Sequence, residues 1–263
     1  MPVKIQSIKS AVADNGLKLL IYGPAGAGKT VLSATAGMST IILSAEAGLL
    51  SIRDAPSYVK TAQISTIEDL EDMYDYLLEK ADDPDFHWVN LDSISEIAEV
   101  ILDEEKLDTK DPRKAYGEMQ TRMMRILRQF RDLPKYNVVM TCKQFRLIDE
   151  ATGKHIYYPM LPGKNLPQQI GYMFDEVFAL RVENEKDGSI YRVLQTSRDS
   201  QFEAKDRSGM LDLFEPPNLR KIFEKIYPNS PLLKKKPGKK KTEPVPEPEK
   251  ESKAEEENDI VIE

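Results

Sequence analysis

Two kinds of apolar stretch alternate over the first 229 positions. Residues 17–22 (LKLLIY), 40–45 (TIILSA), 88–92 (WVNLD) and 137–144 (NVVMTCKQ) are short, nearly continuous apolar runs, the signature of strands buried on both faces. Between them apolar residues recur at helical spacing. Residues 66–81 put Ile67, Leu70, Met73, Tyr74, Leu77 and Leu78 on one face, and Thr66 with Asp69 three positions later is a capping signal. Residues 94–107 carry Ile94, Ile97, Ala98 and Ile101 on an inner stripe. Residues 115–133 carry Met119, Met123, Ile126, Leu127 and Phe130 and stop at Pro134. Shorter helices are predicted over 29–36 and 219–226. Residues 145–148 and 155–159 flank DEATGK, and 174–182 and 190–196 flank EKDGS, which predicts two hairpins. Strands alternating with helices predict an α/β fold: a mainly parallel central sheet flanked by helices, with an antiparallel hairpin extension.

The pattern breaks near residue 229. Residues 230–263 run from a lysine cluster through Pro-Glu alternation to an acidic stretch closed by Ile260, Val261 and Ile262. So little apolar surface cannot offset ordering entropy, so 1–229 reads as the folded domain and 230–263 as a disordered tail. The net charge of −7 argues against a uniformly basic coat but leaves local stripes open. Two histidines and one cysteine cannot build an ordinary zinc site or a disulfide framework. With a polar N-terminus and no run long enough to span a bilayer, the expectation is a cytoplasmic chain without a membrane partner. Cys142 and Trp88, set among apolar neighbours, read as core.

The strongest chemical signal is Gly23, Pro24, Ala25, Gly26, Ala27, Gly28, Lys29, Thr30. Glycines at this spacing let the backbone turn so that successive N–H groups face an anion. A lysine can then reach the β- and γ-phosphates, and a hydroxyl can ligate Mg²⁺. The motif follows a predicted strand and opens a predicted helix, the context it requires. It predicts a site for a nucleoside triphosphate with Mg²⁺, and leaves ATP or GTP open. Such a site needs an acidic residue at a neighbouring strand end to hold the metal with Thr30, and Asp92 fits. Ser93 follows it where many nucleotide motors place a catalytic glutamate. The general base is therefore expected elsewhere: Glu46, at the tip of TIILSAE, or Glu96, a helical turn after Asp92. Gln144 ends its predicted strand with an amide that could sense the γ-phosphate.

GPAGAGKT, the strand-tip Glu46, LDS and the strand-end Gln144 together resemble the RecA-type ATPase core. Lys205 and Arg207, in AKDRSG, are similar to the Lys-x-Arg signature that DnaB-like and RadA-like members insert into a neighbouring subunit's ATP site. The whole order resembles the small phage-encoded RecA-like recombinases of the Sak group, single-strand annealing ATPases also known as AAA-domain nucleotide-binding proteins. The resemblance covers about residues 15–215. It implies a RecA-like P-loop ATPase, working as a ring or filament with a finger acting between subunits, in the cytoplasm of a host cell.

Two regions could meet single-stranded DNA. One is the helix with Arg122, Arg125, Arg128 and Arg131, which also reads as a solvated face. The other is the hairpin region, where Lys143, Arg146, Lys154 and Lys164 interleave with Tyr157 and other rings, the mixture that sequence-tolerant binding uses. The tail could recruit a single-strand-binding or replication protein. Function is thus expected in recombination, annealing or repair, driven by ATP hydrolysis that DNA stimulates. Alternatives are a nucleotide-gated, non-catalytic scaffold or loader, and a P-loop kinase.

Overall fold

The computed structural model describes residues 5–234 apart from Gln6, Ala47, Ala151 and Lys164. The chain starts with helix α1 (Ile8–Asn15), capped by the Ser7 hydroxyl, and enters β1 (Lys18–Gly23). Helix α2 (Lys29–Ser33), a 3-10 turn and β2 (Thr40–Ser44) follow. Next come β3 (Val59–Gln63), α3 (Ile67–Glu79), β4 (Trp88–Asp92), α4 (Ile94–Asp108) and α5 (Pro112–Arg131). Then β5 (Asn137–Ile148) and β6 (His155–Met160) form a hairpin leading to α6 (Asn165–Gln169). The described chain closes with β7 (Glu176–Asn184), β8 (Ile190–Gln195), β9 (Lys205–Asp206), β10 (Phe214–Glu215) and α7 (Leu219–Ile226).

Among these strands the sheet order is β10-β8-β7-β1-β5-β4-β2-β3, with β6 against β5 and β9 against β7. From β3 to β7 the neighbours are parallel; β6, β8, β9 and β10 are antiparallel. This is the α/β architecture, parallel centre and hairpin extension included, that the apolar pattern predicts.

Strand periodicity sorts the core into two layers. Leu20 and Tyr22 of β1, Val89 and Leu91 of β4, and Val138, Met140 and Cys142 of β5 pack against α3, α4 and α5. Leu19 and Ile21, Trp88 and Val139 point the other way, toward Leu32 of α2 and Leu219, Ile222 and Phe223 of α7. Burying both faces requires apolar residues at successive positions, which is why these strands read as runs. Trp88 meets Phe223 edge to face, with ring centroids 5.8 Å apart. The Thr66–Asp69 capping box forms as expected.

Some expectations change. Gln144 does not end its strand. The parallel ladder stops at Lys143, opposite Gly23, but β6 supplies a new partner and β5 runs on to Ile148. Strand β3 escaped the apolar pattern because it is an edge strand with no buried residue, only Val59 and Ala62 being half-buried. Past residue 229 the chain continues into a 3-10 turn (Pro231–Lys234) whose Leu232 and Leu233 pack on the α7 layer. The tail beyond Lys234 lies outside the described residues. No helix among them is long and apolar enough to cross a membrane.

Candidate nucleotide-binding site

Parallel strands carry their carboxyl ends to one edge of the sheet, and ligands of open α/β sheets bind there. Gly23 ends β1, Ser44 pairs with Asp92 at the ends of β2 and β4, and Lys143 lies beside Gly23. All of the chemistry expected around the phosphates therefore meets at one rim.

The loop after β1 has the form an anion requires. A Cβ on Gly23 would come 2.6 Å from the Leu180 carbonyl oxygen of β7, so only glycine allows the strands to approach this closely. Gly28 (φ 98°) takes a left-handed conformation as the cap of α2. The main-chain N–H groups of Gly26, Gly28, Lys29, Thr30 and Val31 donate to no described residue. Five donors within residues 26–31 that no described residue accepts fit a polyphosphate.

Around this loop the side chains converge. Thr30 Oγ1 donates to Asp92 Oδ2 at 2.6 Å, and Thr141 of β5 donates to the other carboxylate oxygen. A hydroxyl and a carboxylate held this closely could hold Mg²⁺. Lys29 Nζ donates to the carbonyls of Gly23 and Pro24, each at 3.1 Å, so its ammonium folds back on the loop it would leave for a phosphate. Burial draws its pKa below the ordinary value, and the Glu46 and Asp92 carboxylates oppose that shift. Glu46, just past β2, is held by the hydroxyl of Ser93, while the Ser44 hydroxyl donates to the Glu46 carbonyl at 2.7 Å. The serine that replaces a glutamate after Asp92 thus grips a carboxylate from another strand. Glu96 is engaged by Lys143 Nζ, whose pKa this contact raises. Lys29, Thr30, Glu46 and Gly48 line a cavity of about 610 Å³.

The same cavity is lined from the other side by Leu180, Arg192 and Pro217. Arg192 Nε donates to the Ala27 carbonyl at 2.9 Å, across 165 positions of sequence. Nothing in the local pattern marks Arg192, an exposed strand residue of the second hairpin; only the position of β8 brings it to the loop.

The other candidates lie apart from the cavity. Gln144, half-buried, sits where β5 leaves the parallel sheet, opposite Pro159. Strand β9 pairs with Glu176 and Val177, which lie level with the start of β1, away from the phosphate-loop end. There Lys205 Nζ donates to the carbonyls of Gly171 (2.7 Å) and Phe174 (2.5 Å), and burial lowers its pKa. Arg207 pairs with Asp175 at 3.0 Å and is more than half exposed. Both cations turn to the same stretch, and neither lines the phosphate-loop cavity.

Of the nucleic-acid candidates, Arg146 and Lys154 are exposed on the β5–β6 hairpin, Lys143 is paired with Glu96, and Lys164 lies outside the described residues. The Tyr157 ring stacks on Phe202 with centroids 4.6 Å apart, so one face is already covered. The arginine helix is largely engaged in the fold: Arg122 with Glu104 and Glu105, Arg125 with Glu71, and Arg131 with Asp132. Cys142 is buried and its thiol pushed up to about 12 by burial, as a core residue would be.

Comparison with known proteins follows the same line. No curated protein matches the chain. Among solved structures it is similar to the KaiC-like protein PH0186 of the hyperthermophilic archaeon Pyrococcus horikoshii. The identity is 13%, covering 73% of this chain and 82% of that one, with a TM-score of 0.37. The profile of a family described as an AAA domain matches residues 15–208, a span from just before β1 to just beyond Arg207. Phosphate loop, strand-end aspartate and profile agree: the chain belongs to the AAA-domain family of P-loop nucleoside triphosphatases.

Proposed function

We propose that the protein binds ATP with Mg²⁺, hydrolyses it, and acts on single-stranded DNA in recombination, annealing or repair. The observation that carries the hydrolytic part is the meeting of five unsatisfied loop amides with Lys29, the Thr30–Asp92 pair and Glu46 at one rim. The loop amides and Lys29 bind the phosphates. Thr30 and Asp92 would hold Mg²⁺, which when bound would supply positive charge against the transferred phosphoryl group. Glu46 accepts the proton of attacking water, and Ser93 fixes its carboxylate.

The DNA part rests on continuity. Gln144 follows Lys143 at the rim and begins the β5–β6 hairpin, so one strand pair runs from the rim to the cations Arg146 and Lys154. Arg207, and Lys205 once released from its carbonyls, complete the site of a neighbouring copy in a ring or filament. Their distance from their own cavity favours action in trans. The Sak-type annealing ATPases are the group whose motif order this reading follows, and the tail beyond Lys234 is the proposed contact for a replication or single-strand-binding partner.

The test is ATP hydrolysis with and without single-stranded DNA across a salt series. We expect stimulation that fades as salt rises, because phosphate contacts release counterions. Turnover indifferent to DNA at every salt concentration would remove the DNA part. ATP bound but never hydrolysed would favour a nucleotide-gated scaffold.

A further inference from the structure

We propose that Arg192 is a nucleotide-binding residue that holds the α-phosphate end of a nucleoside di- or triphosphate. This rests on the reading of the cavity as a nucleotide site and adds a contact that the phosphate-loop motif does not contain.

The argument starts from the sheet order. Asp92 and Glu46, the metal-binding and hydrolytic groups, belong to β4 and the end of β2, on one side of β1. Leu180 and Arg192 belong to β7 and β8, on the other side. A triphosphate laid on residues 25–30 with its terminal phosphate toward Asp92 and Glu46 turns its sugar-proximal end toward Leu180, Arg192 and Pro217, which line the cavity there.

Arg192 is built for such a contact. Nε is fixed on the Ala27 carbonyl at 2.9 Å, and its stem passes Gly28, where a Cβ would lie 3.7 Å from Arg192 Cδ. The other N–H groups of the guanidinium donate to no described residue, and no described carboxylate pairs with it. Once Nε is tied, the planar fork has a fixed direction, and its two terminal nitrogens can grip phosphate oxygens in bidentate fashion. A purely structural tie to Ala27 would need one donor and no charge.

The experiment measures binding of fluorescent ATP and ADP analogues with Mg²⁺ to the full chain and to Arg192→Gln and Arg192→Lys. Glutamine keeps a donor for the Ala27 carbonyl but no charge; lysine keeps the charge. We expect Arg192→Gln to weaken ATP and ADP alike, by about tenfold or more, as loss of a charge-assisted bond does. Arg192→Lys, which keeps the charge but loses the two-pronged fork, should fall between wild type and Arg192→Gln, and both variants should melt with the wild type when no nucleotide is present. Wild-type affinity in Arg192→Gln, or a loss confined to ATP, overturns the proposal. So does an equal loss in the lysine variant, or a lowered melting temperature without nucleotide, which would assign the side chain to the fold. Wild-type protein that binds neither nucleotide would instead sink the site reading itself.

Discussion

Ser93 illustrates how one residue type changes the division of labour at a site. With a serine directly after Asp92, the proposed base is a carboxylate from another element, and the Ser93 hydroxyl reaches across to Glu46. Glu46→Gln should therefore lower ATP turnover about a hundredfold or more while nucleotide affinity changes only a few-fold, since glutamine cannot accept the proton. Ser93→Ala leaves the carboxylate in place but unheld and should cost about tenfold. Steady-state hydrolysis and equilibrium binding on the same preparations separate the two. Wild-type turnover in Glu46→Gln would move the base to another group, with Glu96 next in line.

At the level of elements, the short β7–β9 pairing carries a titrating group far from the catalytic rim. Glu176 is buried, and the main-chain N–H of Ser208 donates to its Oε1 at 3.1 Å. Burial, reinforced by the neighbouring Asp206 carboxylate, raises its pKa from 4.5 to about 8. The folded chain thus keeps a proton there that the unfolded chain releases near pH 4.5. Stability from this group is full below that pH and is lost as pH rises toward about 8, at up to about 1.4 kcal/mol per pH unit. Denaturant midpoints of wild type should accordingly fall between pH 5 and 8 relative to those of Glu176→Gln, in which the residue no longer titrates. Parallel profiles for the two proteins would show that Glu176 does not hold the proton. The segment at stake also carries Lys205 and Arg207, the proposed finger.

For the whole molecule, the decisive feature is that the cavity and the Lys205–Arg207 segment lie at different ends of the sheet. Within one chain they stay apart, so the proposed finger would have to act on a second copy. If the finger works between subunits, Arg207→Ala should bind ATP and turn it over poorly. Mixing it with the equally inactive Lys29→Ala should then restore part of the activity, because each supplies what the other lacks. Hydrolysis measured across mixing ratios decides it: no recovery at any ratio would confine the machinery to a single chain. Since Arg207 already pairs with Asp175, engagement of a neighbour has to replace that contact.

The sequence by itself determined the strands buried on both faces, the α3, α4 and α5 faces, the phosphate loop and the candidates Asp92 and Glu46. These are local matters: period, capping and backbone freedom are written within a few residues. Only the tertiary structure decided which of them meet. Whether Glu46 belonged to the site depended on β2 pairing with β4, and whether Gln144 closed a strand depended on β6 arriving beside β5. Arg192 carries no motif at all, and its place beside Ala27 is set by a hairpin added at the far side of β1. The arginine stripe of α5 looked like an open cationic face, yet Glu71, Glu104 and Glu105 from neighbouring helices take up much of it. Side-chain spacing says which way a charge points along its own helix; which opposite charge stands across from it is settled only when the layers pack.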